Sequence, residues 1–212
     1  MEITWLGHAA FRIRAKEATL LTDPCDRSTG YSMGRPTADI VTISVPDAAH
    51  SYAEGVAGNP RVIDGPGEFE ISHVSIVGIT TWRGKEKQPE SGRNVAYVFE
   101  LEDVRLGHLG AIGHVPTPDQ VEEMTNVDVL FVPVGGGDSL DAPPAAETVS
   151  LIEPKLVIPM HFRTEWEKEK LDPVDRFLKE MGAKATEAQA KVAINRGSLP
   201  SETQVLVLDV KR

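Results

Sequence analysis

The sequence predicts a layered α/β sandwich, and three observations carry that expectation. The first half of the 212 residues breaks into short β-like runs separated by glycines and polar turns. The second half changes rhythm and alternates apolar runs with helix-starting signals. Hydrophobic residues make up 41% and charged residues 25%, a balance that suits a chain with one sizeable core. Mixed sheets with helices outside them follow from that order of elements. Residues 1–212 are expected to form a single domain.

The elements follow in order. Ile3–Leu6, Phe11–Arg14 and Thr19–Thr22 read as strands, punctuated by Gly7 and the Lys16-Glu17 turn. Ile40–Ser44 is a continuous run, as expected of a strand buried on both faces. Further strands are expected at Arg61–Asp64, Val74–Thr80, Asn94–Leu101 and Val104–Leu109, with the polar Trp82–Gly92 stretch as a loop. Thr117 can cap a helix, with Pro118 at its first position and Gln120 completing a capping box. Val127–Val134 reads as a buried strand that runs into Gly135-Gly136-Gly137. A helix is expected from Pro143 to Ile152, then a strand at Leu156–Met160 with His161 directly behind it. Asp172-Pro173 opens a helix that Gly182 stops, and Gln204–Leu208 is the last strand.

Composition narrows the partners. A net charge of −10 argues against nucleic acid, because a phosphate backbone needs a basic footprint. No run of about 18 apolar residues offers a membrane span, and Met1-Glu2-Ile3-Thr4 lacks the basic and apolar regions of a signal peptide. The single cysteine, Cys25, excludes an internal disulfide and fits a reducing, cytoplasmic setting.

Six stretches then point to a family: Trp5-Leu6-Gly7-His8-Ala9, Thr22-Asp23-Pro24, Gly65-Pro66-Gly67-Glu68-Phe69-Glu70, His108-Leu109-Gly110-Ala111-Ile112-Gly113-His114, Pro133-Val134-Gly135-Gly136 and Ile158-Pro159-Met160-His161. Each alone is weak, but in this order they are specific. The chain resembles the metallo-β-lactamase superfamily, in its branch of small metal-dependent hydrolases. The resemblance implies a four-layer αββα sandwich, two mixed β-sheets face to face with helices on the outer faces. It places a metal cleft at one edge, built from loops at strand ends.

The intact pattern of such hydrolases holds two divalent ions, which acidify a bound water toward a pKa of about 7. Four ligands come from a His-x-His-x-Asp-His loop, and this chain has Val45, Asp47, Ala49 and His50 there. The middle-strand histidine falls near Trp82 or Arg83, the bridging aspartate at Ala111, and the late histidine at His161. The resemblance therefore implies a dinuclear site largely lost. A single site at Asp47, His50 and His161 remains, with His8 and His114 as possible extra ligands, for one Zn, Mn, Ni or Fe ion. Absence of any metal is the open alternative, with the imidazoles satisfied by hydrogen bonds alone.

Other residues stand near that cleft. Arg83 is expected to pair with Asp47 in a bidentate bond, a guanidinium where a cation used to be; otherwise Arg83, Lys85, Lys87 and Arg93 form a solvated loop. Asp23 is expected to orient a loop by hydrogen bonds. Cys25 reads as a small buried thiol, or as a nucleophile if His50 activates it. His108 is expected beneath the glycine turn, and Glu68 in the cleft wall. Three functions stay open: a weak one-metal or inactive hydrolase relative, a metal-free module holding an anionic small molecule or partner, and a cysteine enzyme.

Overall fold

The computed structural model of the chain describes residues 1–84, 92–183 and 187–210. Two mixed sheets face each other across the main core. The first contains β1 (Glu2–Gly7), β2 (Ala10–Arg14), β3 (Thr19–Thr22), β4 (Ile40–Thr42) and β5 (Arg61–Ile63), with β12 (Val192–Ala193) added beside β1. The second runs in the order β13-β11-β10-β9-β8-β7-β6, where β6 is Gly67–Ile71, β7 Val74–Trp82, β8 Arg93–Leu101, β9 Val104–His108, β10 Val129–Pro133, β11 Leu156–Met160 and β13 Gln204–Val205.

Strand direction decides where a site can form. In the first sheet β3, β4 and β5 are parallel, with Leu21 opposite Val41 and Val41 opposite Val62. In the second, β9, β10, β11 and β13 are parallel. Parallel strands bring their carboxyl ends to one edge, where irregular loops can present side chains. Asp23 directly follows β3, Ser44 closely follows β4, Gly135 closely follows β10, and His161 directly follows β11.

The helices α1 (Pro118–Glu123), α2 (Ala142–Ile152) and α3 (Val174–Glu180) all lie among the strands of the second sheet in the chain, and α2 packs on β10 and α3. The expected capping box is present at Thr117 and Gln120. The first sheet is covered differently: 3-10 turns at Arg27–Thr29 and Ala53–Gly55 interrupt its long connections. A second, smaller core of Leu6, Leu21, Tyr31, Val41 and Val56 forms there.

Two expectations change. Glu68, expected in the cleft wall from its Pro-Gly-Glu sequence, is an exposed residue of the edge strand β6, paired opposite Val77. The last strand is divided: Val205 pairs with Val157 of the second sheet, and Val210 bridges to Trp5 of the first. The sheets are also joined at their heart. The buried Tyr97 hydroxyl on β8 donates to the carbonyls of Ile43 (3.0 Å) and Ile63 (3.2 Å), and Phe11 packs on Phe131 with ring centroids 4.5 Å apart. Among the described residues no helix is long and apolar enough to cross a membrane.

Candidate metal centre

Three imidazoles meet at the shared carboxyl edge. His8, from the β1–β2 turn, lies with its ring centroid 4.4 Å from His161 and 5.0 Å from His50, and His50 and His161 are 6.4 Å apart. All three are buried. The backbone ties two of them directly, since the His161 amide donates to the His8 carbonyl (3.2 Å). His8, Asp23 and His161 also share left-handed backbone, with φ of 52°, 40° and 50°. Such a conformation costs a non-glycine residue about 1–3 kcal/mol and persists where surrounding structure over-determines it.

Each ring is anchored through the same nitrogen. His50 Nδ1 lies 2.8 Å from Asp23 Oδ2, which also accepts from the Ser44 hydroxyl, while Asp23 Oδ1 accepts from the Ser44 amide (2.7 Å). His8 Nδ1 lies 3.0 Å from Glu167 Oε2. His161 Nδ1 lies 2.7 Å from Ser139 Oγ, which also lies 2.9 Å from the Gly136 carbonyl. A carboxylate can only accept. His8 and His50, each facing a carboxylate, therefore carry their proton on Nδ1 and keep the Nε2 lone pair. Nε2 of His8 and of His50 has no hydrogen-bond partner among the described residues. His161 Nε2 faces Glu169 Oε2 at 3.1 Å. In the metal-free chain that contact is an Nε2–H donating to the carboxylate, with the Ser139 hydroxyl donating to Nδ1; a cation would take the place of that proton.

Charge follows burial. Burial pushes the His8 pKa down to about 4, against the pull of Glu167, which keeps the ring neutral. Burial pushes the Asp23 carboxyl up, but the neighbouring His50 and Ser44 hold it below its ordinary value. Glu169 is held below the usual carboxylate value mainly by His161.

His8, His161 and Glu169 each offer a ligand atom within 4.8 Å of the others. Glu169, in the loop after β11, was not among the expected ligands. Asp47, which was, turns elsewhere: its Oδ2 accepts from Arg83 Nη1 (2.9 Å), while Arg83 Nη2 reaches Asp138 Oδ2 (3.2 Å). The guanidinium thus bridges two carboxylates instead of gripping Asp47 with both arms. His114 engages backbone, with Nδ1 2.9 Å from the Val115 carbonyl and Nε2 accepting from the Trp82 amide. Ala111 is buried, its amide donating to the Asn94 side chain (2.8 Å), and its methyl offers no donor atom. His108 sits 2.9 Å through Nε2 from the Ala9 carbonyl. Lys85 and Lys87 lie outside the described residues, and Arg93 donates to the Asp64 carbonyl. Cys25 is buried, and burial pushes its thiol up to about 12, which disfavours the thiolate that a cysteine enzyme needs.

Known proteins share this architecture. A Thermotoga maritima crystal structure, placed among Zn-dependent hydrolases of the metallo-beta-lactamase superfamily, is 38% identical, covers 98% of this chain and 97% of its own, and superposes with a TM-score of 0.80. A relative from Thermococcus onnurineus named a metal-dependent hydrolase is 26% identical over 213 residues, covering 87% of this chain and 94% of the relative. An isothiocyanate hydrolase from Delia radicum gut bacteria, 12% identical with a TM-score of 0.71 over 92% of this chain and 99% of its own, shares the fold. The family profile described as the beta-lactamase superfamily domain matches residues 2–161, and the chain belongs to that superfamily.

Proposed function

We propose that this protein is a hydrolase working with one divalent metal held by His8, His161 and Glu169, with His50 beside them. The observation that carries this reading is the common anchoring of three imidazoles through Nδ1, by Glu167, Asp23 and Ser139. Metal-ligating histidines have this outer partner, which fixes tautomer and ring orientation. The names of the relatives from Thermotoga and Thermococcus support the same chemistry. Imidazole nitrogens with one carboxylate suit Zn, Mn, Ni or Fe. A bound ion would lower the pKa of its water toward about 7 and polarise the scissile group.

The chain's own residues do the rest. The buried rings exclude bulk water from one side, and Glu169, with a side chain 45% exposed, marks the side from which substrate arrives. A second metal finds no donors at Val45, Ala49, Trp82 or Ala111, and Arg83 already neutralises Asp47. The dinuclear site is lost on this reading. The anion-holding module is less supported, because Arg83 is already shared between Asp47 and Asp138.

The test is metal content by plasma mass spectrometry on untagged protein, dialysed against zinc, manganese, nickel and iron in turn, with ester and phosphodiester screens. The expected result is about one ion per chain, reduced by His161→Ala and by Glu169→Gln. Near-zero content would overturn the reading and favour a metal-free module, and two ions per chain would overturn the one-metal assignment.

A further inference from the structure

A separate pocket of about 670 Å³ opens in front of the smaller core, with walls from Leu6, Arg12, Tyr31, Met33, Arg35 and Trp166. Its size falls in the range of small-molecule sites. Its walls are mainly apolar and aromatic, and its charged lining residues are arginines. Neither Arg12 nor Arg35 makes a side-chain hydrogen bond or ion pair among the described residues, and the Arg12 Nε is buried with no partner. Glu2, the acidic group in electrostatic reach of Arg12, is already engaged by Lys191 (2.6 Å) and Arg14 (3.6 Å). Arg12 is half-buried, whereas Arg35 is exposed at the rim, so the unmet donor is on Arg12. A buried donor without an acceptor is a cost that a ligand can remove.

We propose that this pocket binds an organic carboxylate with an aromatic body, its carboxylate on Arg12 and its ring against Trp166 and Tyr31. A guanidinium matches a carboxylate in planar, two-point fashion, and aromatic walls suit a flat apolar body. The pocket is also wired to the histidines. The Tyr31 hydroxyl lies 2.7 Å from Thr164 Oγ1, which accepts from the Glu167 amide (3.2 Å), and Glu167 holds His8. Tyr31 packs against Gly7, where a Cβ would lie 2.3 Å from its ring. An occupant pressing on Tyr31 therefore bears on the loop that carries Glu167 and Glu169.

Calorimetric titration of the metal-free protein with benzoate and with indole-3-acetate tests this, beside benzamide and inorganic phosphate as controls. The expected result is saturable one-to-one binding of the two carboxylates and none of the controls. Arg12→Gln should weaken it by about tenfold or more, the loss of one charge-assisted pair. Arg12→Lys should retain part of the affinity, which separates lost charge from misfolding, and unchanged melting of both variants checks the fold. His161→Ala should leave carboxylate binding intact, so failure of the metal reading and failure of this one are distinguishable. No heat with either carboxylate, equal binding of benzamide, or binding indifferent to Arg12→Gln would overturn the proposal.

Discussion

His108 illustrates how one buried imidazole sets a pH response. It is fully buried on β9, its Nε2 proton goes to the Ala9 carbonyl, and its Nδ1 has no partner. Protonation would place a charge in the dry space between the sheets, so burial holds its pKa below 6.5, as it does for His8 at about 4. The unfolded chain takes up these protons near pH 6.5 and the folded chain does not. The contribution of these two groups is thus complete above that value and is lost as pH falls below it. Asp23 acts lower: its depressed carboxyl contributes stability above 3.8 that disappears as pH falls through its folded value. The urea midpoint of the metal-free protein should therefore drop in two stages, and His108→Gln should shrink the first; a midpoint unchanged between about pH 7 and about pH 5 would contradict this. At this scale the sequence is only partly legible. His50 and His161 stand out because they follow strand ends in a recognisable frame. Glu167 and Glu169 do not, because Thr164-Glu165-Trp166-Glu167-Lys168-Glu169-Lys170 has the alternating charge of a solvated loop. Their approach to the imidazoles depends on where that loop folds back, with Glu169 Oε1 only 2.5 Å from where a Cβ on Gly137 would stand.

Among the elements, the parallel pair β10 and β11 governs the site through the turn that follows it. Gly135 donates its amide to the His161 carbonyl (3.0 Å), and a Cβ added there would lie 2.3 Å from that oxygen and 2.9 Å from the Phe162 Cα. Both are backbone atoms and cannot swing aside. Gly135→Ala should destabilise the fold by about 1–3 kcal/mol, by overpacking. By displacing His161 it should also weaken metal binding about tenfold or more. Denaturant titration and metal competition measure the two effects, and a variant unchanged in both would show that this turn does not position His161. The long strands were legible because apolar runs bounded by glycine and polar turns are local signals. Two of the edge strands, β6 and β12, were not. β6 alternates Glu68, Phe69, Glu70 and Ile71 behind a Gly-Pro-Gly turn, and β12 is two residues long, so both depend on a neighbour for their existence.

Across the whole molecule, the two-sheet sandwich follows from the change of rhythm between the halves of the chain, but its closure does not. The first sheet is completed by residues distant in sequence: Ile3 pairs with Val192, Trp5 bridges to Val210, and the N-terminal ammonium reaches Glu102 (2.6 Å) and the Ile194 carbonyl (2.9 Å). Short two-residue pairings of this kind leave no periodicity to read. A chain ending at Lys191 should keep most of its strands yet expose the edge of β1, and should aggregate; soluble yield and light scattering report the outcome, and a soluble monomer would show that β12 is dispensable. The same closure has a consequence during synthesis. At about 5–20 residues per second, translation from β1 to β12 takes roughly 10–40 s. Through that interval the nascent chain carries Ile3 and Trp5 on an unpaired strand edge, so β1 is the segment a chaperone at the ribosome would have to shelter, and slower translation of the second half would lengthen its exposure.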